Sequence, residues 1–271
     1  MEIGAGLPAV VPGATLALIE QWARAADAGP FSSLGCHDRL AWESIDCFTA
    51  LQAAGRATDR IRLASLVLIA PLHTSTAIAE AAHSLGDRLT LGVGIGPRED
   101  DYRAAGADFH ARGRRLEEQL QELPGLWRGG APILLMGGGG DAALNRMARL
   151  ADGYVHGGGP ARAFKGAADR ALAAWYDNGR EGTPRLVGTG YFALGDAEAE
   201  GREFLRRYYR FVGPFAERIA DGLLTSAGEI EELAGGYAEA GCDELVLFPT
   251  VPRLQQLELL AEAHPGEETR R

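Results

Sequence analysis

The chain has 271 residues, 46% of them hydrophobic, and a formal net charge of -10. That is enough apolar material for a full core, in one large α/β domain or two small ones. An acidic chain without a basic tail excludes nucleic acid and anionic membrane surfaces as partners, and the longest apolar run, Leu63 to Leu72, is too short to span a bilayer. No secretory signal precedes the first strand, and Cys36, Cys47 and Cys242 have no CxxC spacing, the pattern of reduced thiols in a cytoplasmic protein.

In chain order, Glu2 to Leu7 reads as a short strand stopped by Pro8. Apolar spacing through Leu16, Ile19, Trp22, Ala23 and Ala26 predicts a helix over Ala14 to Ala28, closed by Gly29-Pro30. Phe31 to Cys36 is a second strand, followed by a polar turn and a helix over Asp46 to Gly55. Ile61 to Ile69 is nearly continuous in apolar residues, as a strand buried on both faces should be. A turn at Ala70 to His73 leads into a helix over Ser75 to Leu85. Leu89 to Ile95 is a fourth strand, and Pro97 stops it before an acidic turn and one long helix to about Trp127.

Pro132 to Met136 is the fifth strand, and Asp141 reads as the N-cap of a helix through Leu150. The sixth strand is Gly153 to His156, with a helix over Ala161 to Asn178. The seventh is Leu186 to Leu194, with helices over Ala197 to Ala220 and Ser226 to Ala240. Glu244 to Phe248 and a helix over Leu254 to Ala263 complete the series, and the tail GEETRR is expected to be disordered. Eight strands each followed by helix predict a single (β/α)8 TIM barrel spanning 1–271, whose ligand would sit at the C-terminal strand ends.

Two glycine patterns stand at those ends. Gly92, Gly94 and Gly96 alternate along the fourth strand, so they share a face on which something flat or bulky can approach bare backbone. The dinucleotide fingerprint fails there, because the third glycine of G-x-G-x-x-G would fall on Pro97 or Glu99. The four glycines Gly137, Gly138, Gly139 and Gly140 precede a helix, where exposed amides and the positive helix end make a phosphate cradle. The run starting at Gly157 would supply an adjacent wall.

His37, His73, His110 and His156 fall near strand ends or early helix positions, but no paired spacing suits a metal. His37 and Trp42 are the best candidate pair, since they share the polar loop after the second strand. Lys165 is the sole lysine among 27 basic residues, placed to reach a phosphate from the helix after the sixth strand. Asp100-Asp101 read as groups that solvate or cap their turn.

Four segments, in order, resemble the bacterial luciferase-like superfamily of flavin- and F420-dependent oxidoreductases. They are RIRLASLVLIAPLHTSTAIAE (Arg60 to Glu80), RLTLGVGIGPREDDYRAAGADFHARGRRLEEQL (Arg88 to Leu120), PILLMGGGGDAALNRMARLADGYV (Pro132 to Val155) and YAEAGCDELVLFP (Tyr237 to Pro249). The resemblance implies a TIM barrel holding FMN or coenzyme F420. It places a non-proline cis peptide behind the ring at roughly Leu68, Ile69 and Ala70, ring-edge contacts at Gly94, Ile95 and Gly96, and phosphate contacts at Gly139, Gly140 and Ala143. It implies hydride transfer if the cofactor is F420, or monooxygenation of a small organic substrate if it is FMN supplied by a separate reductase. His37 and Trp42 would then lie beside the ring, with His37 as a proton donor, and a homodimer is the family's common form. The chain departs from the family pattern in two places. A long excursion between the fourth and fifth strands is reduced to Arg128–Ala131, and Asp38-Arg39 stands where many relatives have Asp-His. The shortening raises an alternative, a flavin-binding paralogue without turnover or a heterodimer subunit.

Overall fold

A computed structural model describes residues 1–264, so the GEETRR tail lies outside the described residues. The strands β1 (Glu2–Gly6), β2 (Ser33–Cys36), β3 (Arg62–Ile69), β4 (Leu89–Gly94), β5 (Ile133–Gly137), β6 (Gly153–His156), β7 (Arg185–Phe192) and β8 (Glu244–Pro249) run parallel in sequence order and close into a barrel. Closure is made by β1 against β8, with Glu2 opposite Glu244 and Ala5 opposite Leu247. Helices cover the outside: α1 (Leu16–Ala28), α2 (Cys47–Ala57), α3 (Ser75–Leu85), α4 (Glu99–Ala105), α5 (Arg112–Glu122), α6 (Asp141–Leu150), α7 (Ala161–Asp177), α8 (Glu198–Tyr208), α9 (Phe215–Asp221), α10 (Ala227–Glu239) and α11 (Gln255–Ala263). The expected (β/α)8 barrel is therefore the observed fold. No helix among the described residues is long and apolar enough to cross a membrane.

Three local expectations are corrected. The helix expected to run unbroken to Trp127 is two helices, because Gly106 takes a left-handed conformation (φ +64°) and closes α4 on Arg103 and Tyr102 carbonyls. Similarly, Gly213 (φ +61°) and Pro214 separate α8 from α9. Asp141 is the first residue of α6 rather than its cap; Gly140 caps, and the Asp141 carboxylate turns to Arg170 at 2.7 Å.

Two layers of core position the site. The larger lies between strands and helices and holds Trp22, Phe31, Leu51 and Phe164, all nearly sealed from solvent. The smaller fills the barrel axis with Leu66, Leu135, Val155, Val187, Val246 and Phe248. Phe248 can lie across the axis only because β1 and β2 carry glycine beside it. A Cβ at Gly6 would come within 2.2 Å of its ring, and one at Gly35 within 2.9 Å. That ring supports His37, which stacks on it.

The alternating glycines of β4 have a related use. A register shift between Ser65 and Leu68 breaks the β3–β4 ladder, and the Leu66–Val67 peptide is cis. A Cβ at Gly92 would lie 2.2 Å from the Ser65 carbonyl oxygen, and one at Gly94 2.9 Å from Val67. The glycine face thus receives β3's irregular backbone and the Val67 side chain. The cis bond lies two residues ahead of the Leu68–Ala70 stretch, where the expectation had put it, because the shift falls inside β3 and not at its end.

Candidate functional site

The C-terminal strand ends surround one cleft of about 960 Å³, at the upper end of small-molecule sites, which span roughly 300–1,000 Å³. Its floor is Leu66, Val67 and Ile69 from β3, with Gly94 and Ile95 from β4. Around this floor the cleft has two chemically different sides.

The first side follows β2 and β7. His37, just past β2, stacks on Phe248 with ring centroids 3.7 Å apart. Its Nδ1 lies 2.7 Å from the Leu66 carbonyl oxygen and its Nε2 3.0 Å from the Tyr191 hydroxyl. Burial pulls the imidazole pKa down to about 4, more than the Leu66 contact raises it. The ring is therefore neutral at pH 7. A carbonyl only accepts, so Nδ1 carries the proton and Nε2 accepts from Tyr191. The Tyr191 hydroxyl lies 2.7 Å from that of Tyr209, which must donate to it. Burial holds both phenols above their usual range, so both keep their protons. His37 is thus neutral with both nitrogens engaged, Nδ1 donating to Leu66 and Nε2 accepting from Tyr191.

Beside it, Arg39 donates from Nε to Asp101 at 2.8 Å, and Asp101 also accepts the Leu40 and Ala41 amides at 2.9 and 2.6 Å. With Asp101 wholly buried, this pair locks the β2 loop to α4. Arg98 chelates Asp100 and donates to the Tyr208 carbonyl at 2.6 Å. The acidic turn is therefore structural, consistent with a capping or solvating role. Arg39 is committed to this lock through Nε, while its Nη1 is buried without a partner.

The second side follows β5 and β6, opposite β2 in strand order. Gly137, Gly138 and Gly139 and then Gly157 and Gly158 present bare backbone to the cleft. A Cβ added at Gly139 or Gly157 would meet nothing within 4 Å, so no protein atom claims that space. Arg112, at the start of α5, and Arg170, on α7, bring cationic groups to the same wall. Arg112 stacks on Phe109 at 3.7 Å and donates to its carbonyl, yet its Nε is buried without a partner. No carboxylate pairs with it among the described residues. Amides at the start of α6, which has no side-chain cap, together with this cation that no described carboxylate pairs, fit a phosphate.

Other sequence-derived candidates fall variously. Gly94, Ile95, Gly96, Ile69, Gly137, Gly138, Gly139, Gly157 and His37 line the cleft. Leu68 and Ala70 do not; both are buried in the core behind it. Gly140 and Ala143 belong to the first turn of α6, where the Ala143 methyl would crowd any Cβ on Gly138 at 2.9 Å. Trp42 donates to the Val10 carbonyl at 2.8 Å and lines a smaller neighbouring cavity instead. Lys165 is 62% exposed and paired with Asp169 at 2.9 Å. The face of α7 that meets the cleft repeats at Ala163, Gly166, Ala167 and Arg170, a helical period that leaves position 165 outside. That same period would have found Arg170 in the sequence. Tyr208, Tyr209 and Phe211 also line the cleft, although Tyr208 is at the same time part of a buried cluster with Phe204 and Leu205.

A closed parallel barrel with one ligand cleft at its C-terminal mouth defines the class. Residues 1–244 match the luciferase-like monooxygenase family, and the chain belongs to that family. Uncharacterised proteins of Mycobacterium tuberculosis and Mycobacterium bovis are each 33% identical over 185 residues, 51% of this chain and 64% of theirs. The chain therefore matches under two thirds of the length of those relatives. Among solved structures, an F420-dependent secondary alcohol dehydrogenase in complex with an F420-acetone adduct superposes with a TM-score of 0.79 at 14% identity, covering 97% of this chain and 98% of that one. The FMN-bound oxygenating constituent of 3,6-diketocamphane monooxygenase from Pseudomonas putida gives 0.73 at 16% identity, covering 97% of each chain. At such identities the likeness is one of fold.

Proposed function

We propose that the protein is an oxidoreductase that holds a flavin-type cofactor, F420 or FMN, in the cleft and acts on a small organic substrate. The observation that carries this reading is the division of one cavity between bare glycine backbone with Arg112 and an aromatic, hydrogen-bonded wall at His37, Tyr191 and Tyr209. The first side suits a phosphate, and the second suits the reacting end of a bound molecule. The ring would rest on Leu66, Val67, Ile69, Gly94 and Ile95, with the phosphate toward Gly138, Gly139, Gly157, Arg112 and Arg170.

When bound, such a group supplies hydride transfer, and reduced FMN also supplies oxygen activation. The chain's own residues bind and orient. His37 and the two tyrosines form a fixed hydrogen-bonded wall, and the floor of Leu66, Val67 and Ile69 keeps water out from below. The setting is cytoplasmic, with a separate reductase as partner in the FMN case and a homodimer as the working form.

Titration of the purified protein with FMN, FAD and F420, followed by fluorescence and absorbance, tests the reading. Selective micromolar binding of F420 or FMN supports it and chooses between hydride transfer and oxygenation. Binding without turnover of any substrate supports the paralogue alternative. No binding of any of the three overturns the reading.

A further inference from the structure

Away from the glycine turns, the cleft runs between the β2 loop and the segment that follows α8, and the charges of that side can be followed one by one. Four charged side chains line it: Asp38, Arg39, Arg98 and Asp101. Each is nearly sealed and engaged by a neighbour inside the wall. Arg39 pairs with Asp101 at 2.8 Å and has Asp100 at 3.8 Å, and its Nη1 is closed off from solvent. Arg98 grips Asp100 through Nε and Nη2 at 3.2 and 2.9 Å, and its Nη1 donates to the Tyr208 carbonyl at 2.6 Å. Asp38 accepts the Ile69 amide at 2.9 Å and meets His73 Nε2 at 2.8 Å. Burial pulls the His73 pKa down, but the Asp38 hydrogen bond and the charges of Asp38 and Asp46 hold it above the ordinary value. This acid too therefore has a partner disposed to carry positive charge. With His37 neutral and the tyrosines protonated, the described residues of this side leave a ligand no counter-ion of either sign.

Ring surface is what this side does present. Tyr191, Tyr208, Tyr209 and Phe211 line it above the aliphatic floor of Leu66, Val67 and Ile69. Phe211 is 39% exposed, yet it is held in place. The Arg98 guanidinium lies 4.4 Å from its ring centroid, and the Tyr209 ring lies 6.2 Å away at an angle of 28°. Since Asp100 and the Tyr208 carbonyl fix Arg98, one neutralised arginine orders the aromatic rim.

We infer that the substrate is an uncharged molecule bearing an aromatic ring, and that Phe211 is the specificity-determining residue that receives the ring. This deepens the cofactor reading above and rests on it for the phosphate side being filled. A carboxylate or an ammonium group on this side would lose its water and find no opposite charge. An uncharged ring instead displaces water from Phe211, Tyr209 and the aliphatic floor, and gains stacking contact. Arg98 is a positioning residue that acts through Phe211, and Asp100 is the group that keeps its charge from the ligand.

Benzamide, benzoate and benzamidinium share one shape and are neutral, anionic and cationic at pH 7. Each is titrated into cofactor-loaded protein while the Phe211 and Tyr209 ring signals are followed by NMR. Benzamide is expected to bind at least about tenfold tighter than either ion. It should also bind about threefold or more tighter than cyclohexanecarboxamide, which has the same head group without the aromatic ring. Phe211→Leu keeps apolar bulk and should cancel that second preference alone. Asp100→Asn keeps an oxygen for the Asp101 amide but unmasks Arg98, so benzoate should tighten toward benzamide while benzamidinium does not. The inference is overturned if either ion binds as well as benzamide, if Phe211→Leu leaves the ring preference intact, if Asp100→Asn gives benzoate nothing, or if none of the four binds. Protein that takes up no cofactor sinks the cofactor reading; the same titrations on free protein, read at the same two rings, then still decide whether this side selects an uncharged ring.

Discussion

Tyr191 donates to His37 and not the reverse, because the Leu66 carbonyl on the other side of the imidazole already takes its one proton. The same logic fixes Tyr209 as donor to Tyr191, so a one-way chain of hydroxyls ends on a neutral histidine. Tyr191→Phe would leave the half-buried Nε2 without its donor, at a cost of about 1–2 kcal/mol. Tyr209→Phe should cost less, since the Tyr191 oxygen it abandons keeps its bond to His37. Removing the Tyr191 hydroxyl also removes a group that favours neutral imidazole, so the His37 midpoint should rise. Urea unfolding and NMR titration of both variants check this; equal losses in the two would refute the assigned direction.

The depressed His37 pKa makes a pH prediction of definite sign. The unfolded chain binds a proton there at about 6.5, whereas the folded state resists until about 4. Stability from this residue is therefore complete above pH 6.5 and is lost as pH falls toward 4, by at most about 3 kcal/mol. His156, also pushed down by burial, acts in the same direction. His73, raised by Asp38, acts oppositely: its contribution is present below the unfolded value and is lost at high pH. A His37→Gln variant should unfold with a flatter pH dependence than wild type between pH 7 and 4.5. Parallel curves would show that His37 is not the group being protonated.

The barrel was legible because its strands are short apolar runs at regular spacing, and each such run became a strand within a few residues. Helix continuity was less legible. Gly106 and Gly213 sit inside stretches of good helical pattern, and only the observed left-handed backbone shows that each ends a helix. The glycine turns were found because their chemistry is local. Arg112 and Arg170 were missed because their value depends on which side of a helix meets the cleft and on whether a carboxylate is near. Lys165 was singled out by composition, yet the helical period that selects Arg170 turns it to solvent. The fate of Arg39 was hidden for a similar reason: its partner, Asp101, is 62 residues away in sequence.

Arg112 and Lys165 give opposite expectations for cofactor affinity. Arg112 has a buried Nε without a partner, and no carboxylate among the described residues pairs with it. Arg112→Ala should weaken a phosphate-bearing flavin by about ten- to a hundredfold, the scale of one charge-assisted hydrogen bond at roughly 1.5–3 kcal/mol. Riboflavin, which lacks the phosphate, should bind both forms alike. Lys165→Ala removes only an exposed pair on α7 and should leave every affinity within twofold of wild type, as surface pairs contribute little. Fluorescence titration with FMN and riboflavin separates the two, and an Arg112→Ala protein that binds both as wild type does would remove Arg112 from the phosphate side.

Gly139 separates packing from ligand approach. Gly94 cannot gain a Cβ without striking Val67 at 2.9 Å, and Gly96 has both a positive φ and Ile69 at 2.9 Å, so alanine at either position damages the fold whatever binds. Gly139 has neither constraint: an added Cβ meets no atom within 4 Å, and its φ is not in the left-handed region. Gly139→Ala should therefore fold with unchanged or slightly raised stability, since alanine restricts the unfolded chain more than glycine does. If a phosphate is cradled by the amides there, the new methyl occupies the space it needs, and FMN or F420 affinity should fall at least tenfold while unfolding is unchanged. Gly157→Ala, equally open, should behave the same way from the adjacent turn. Denaturation and cofactor titration on the same preparations give both readouts. Full cofactor affinity in both variants would mean that the glycine walls are open for a reason other than phosphate.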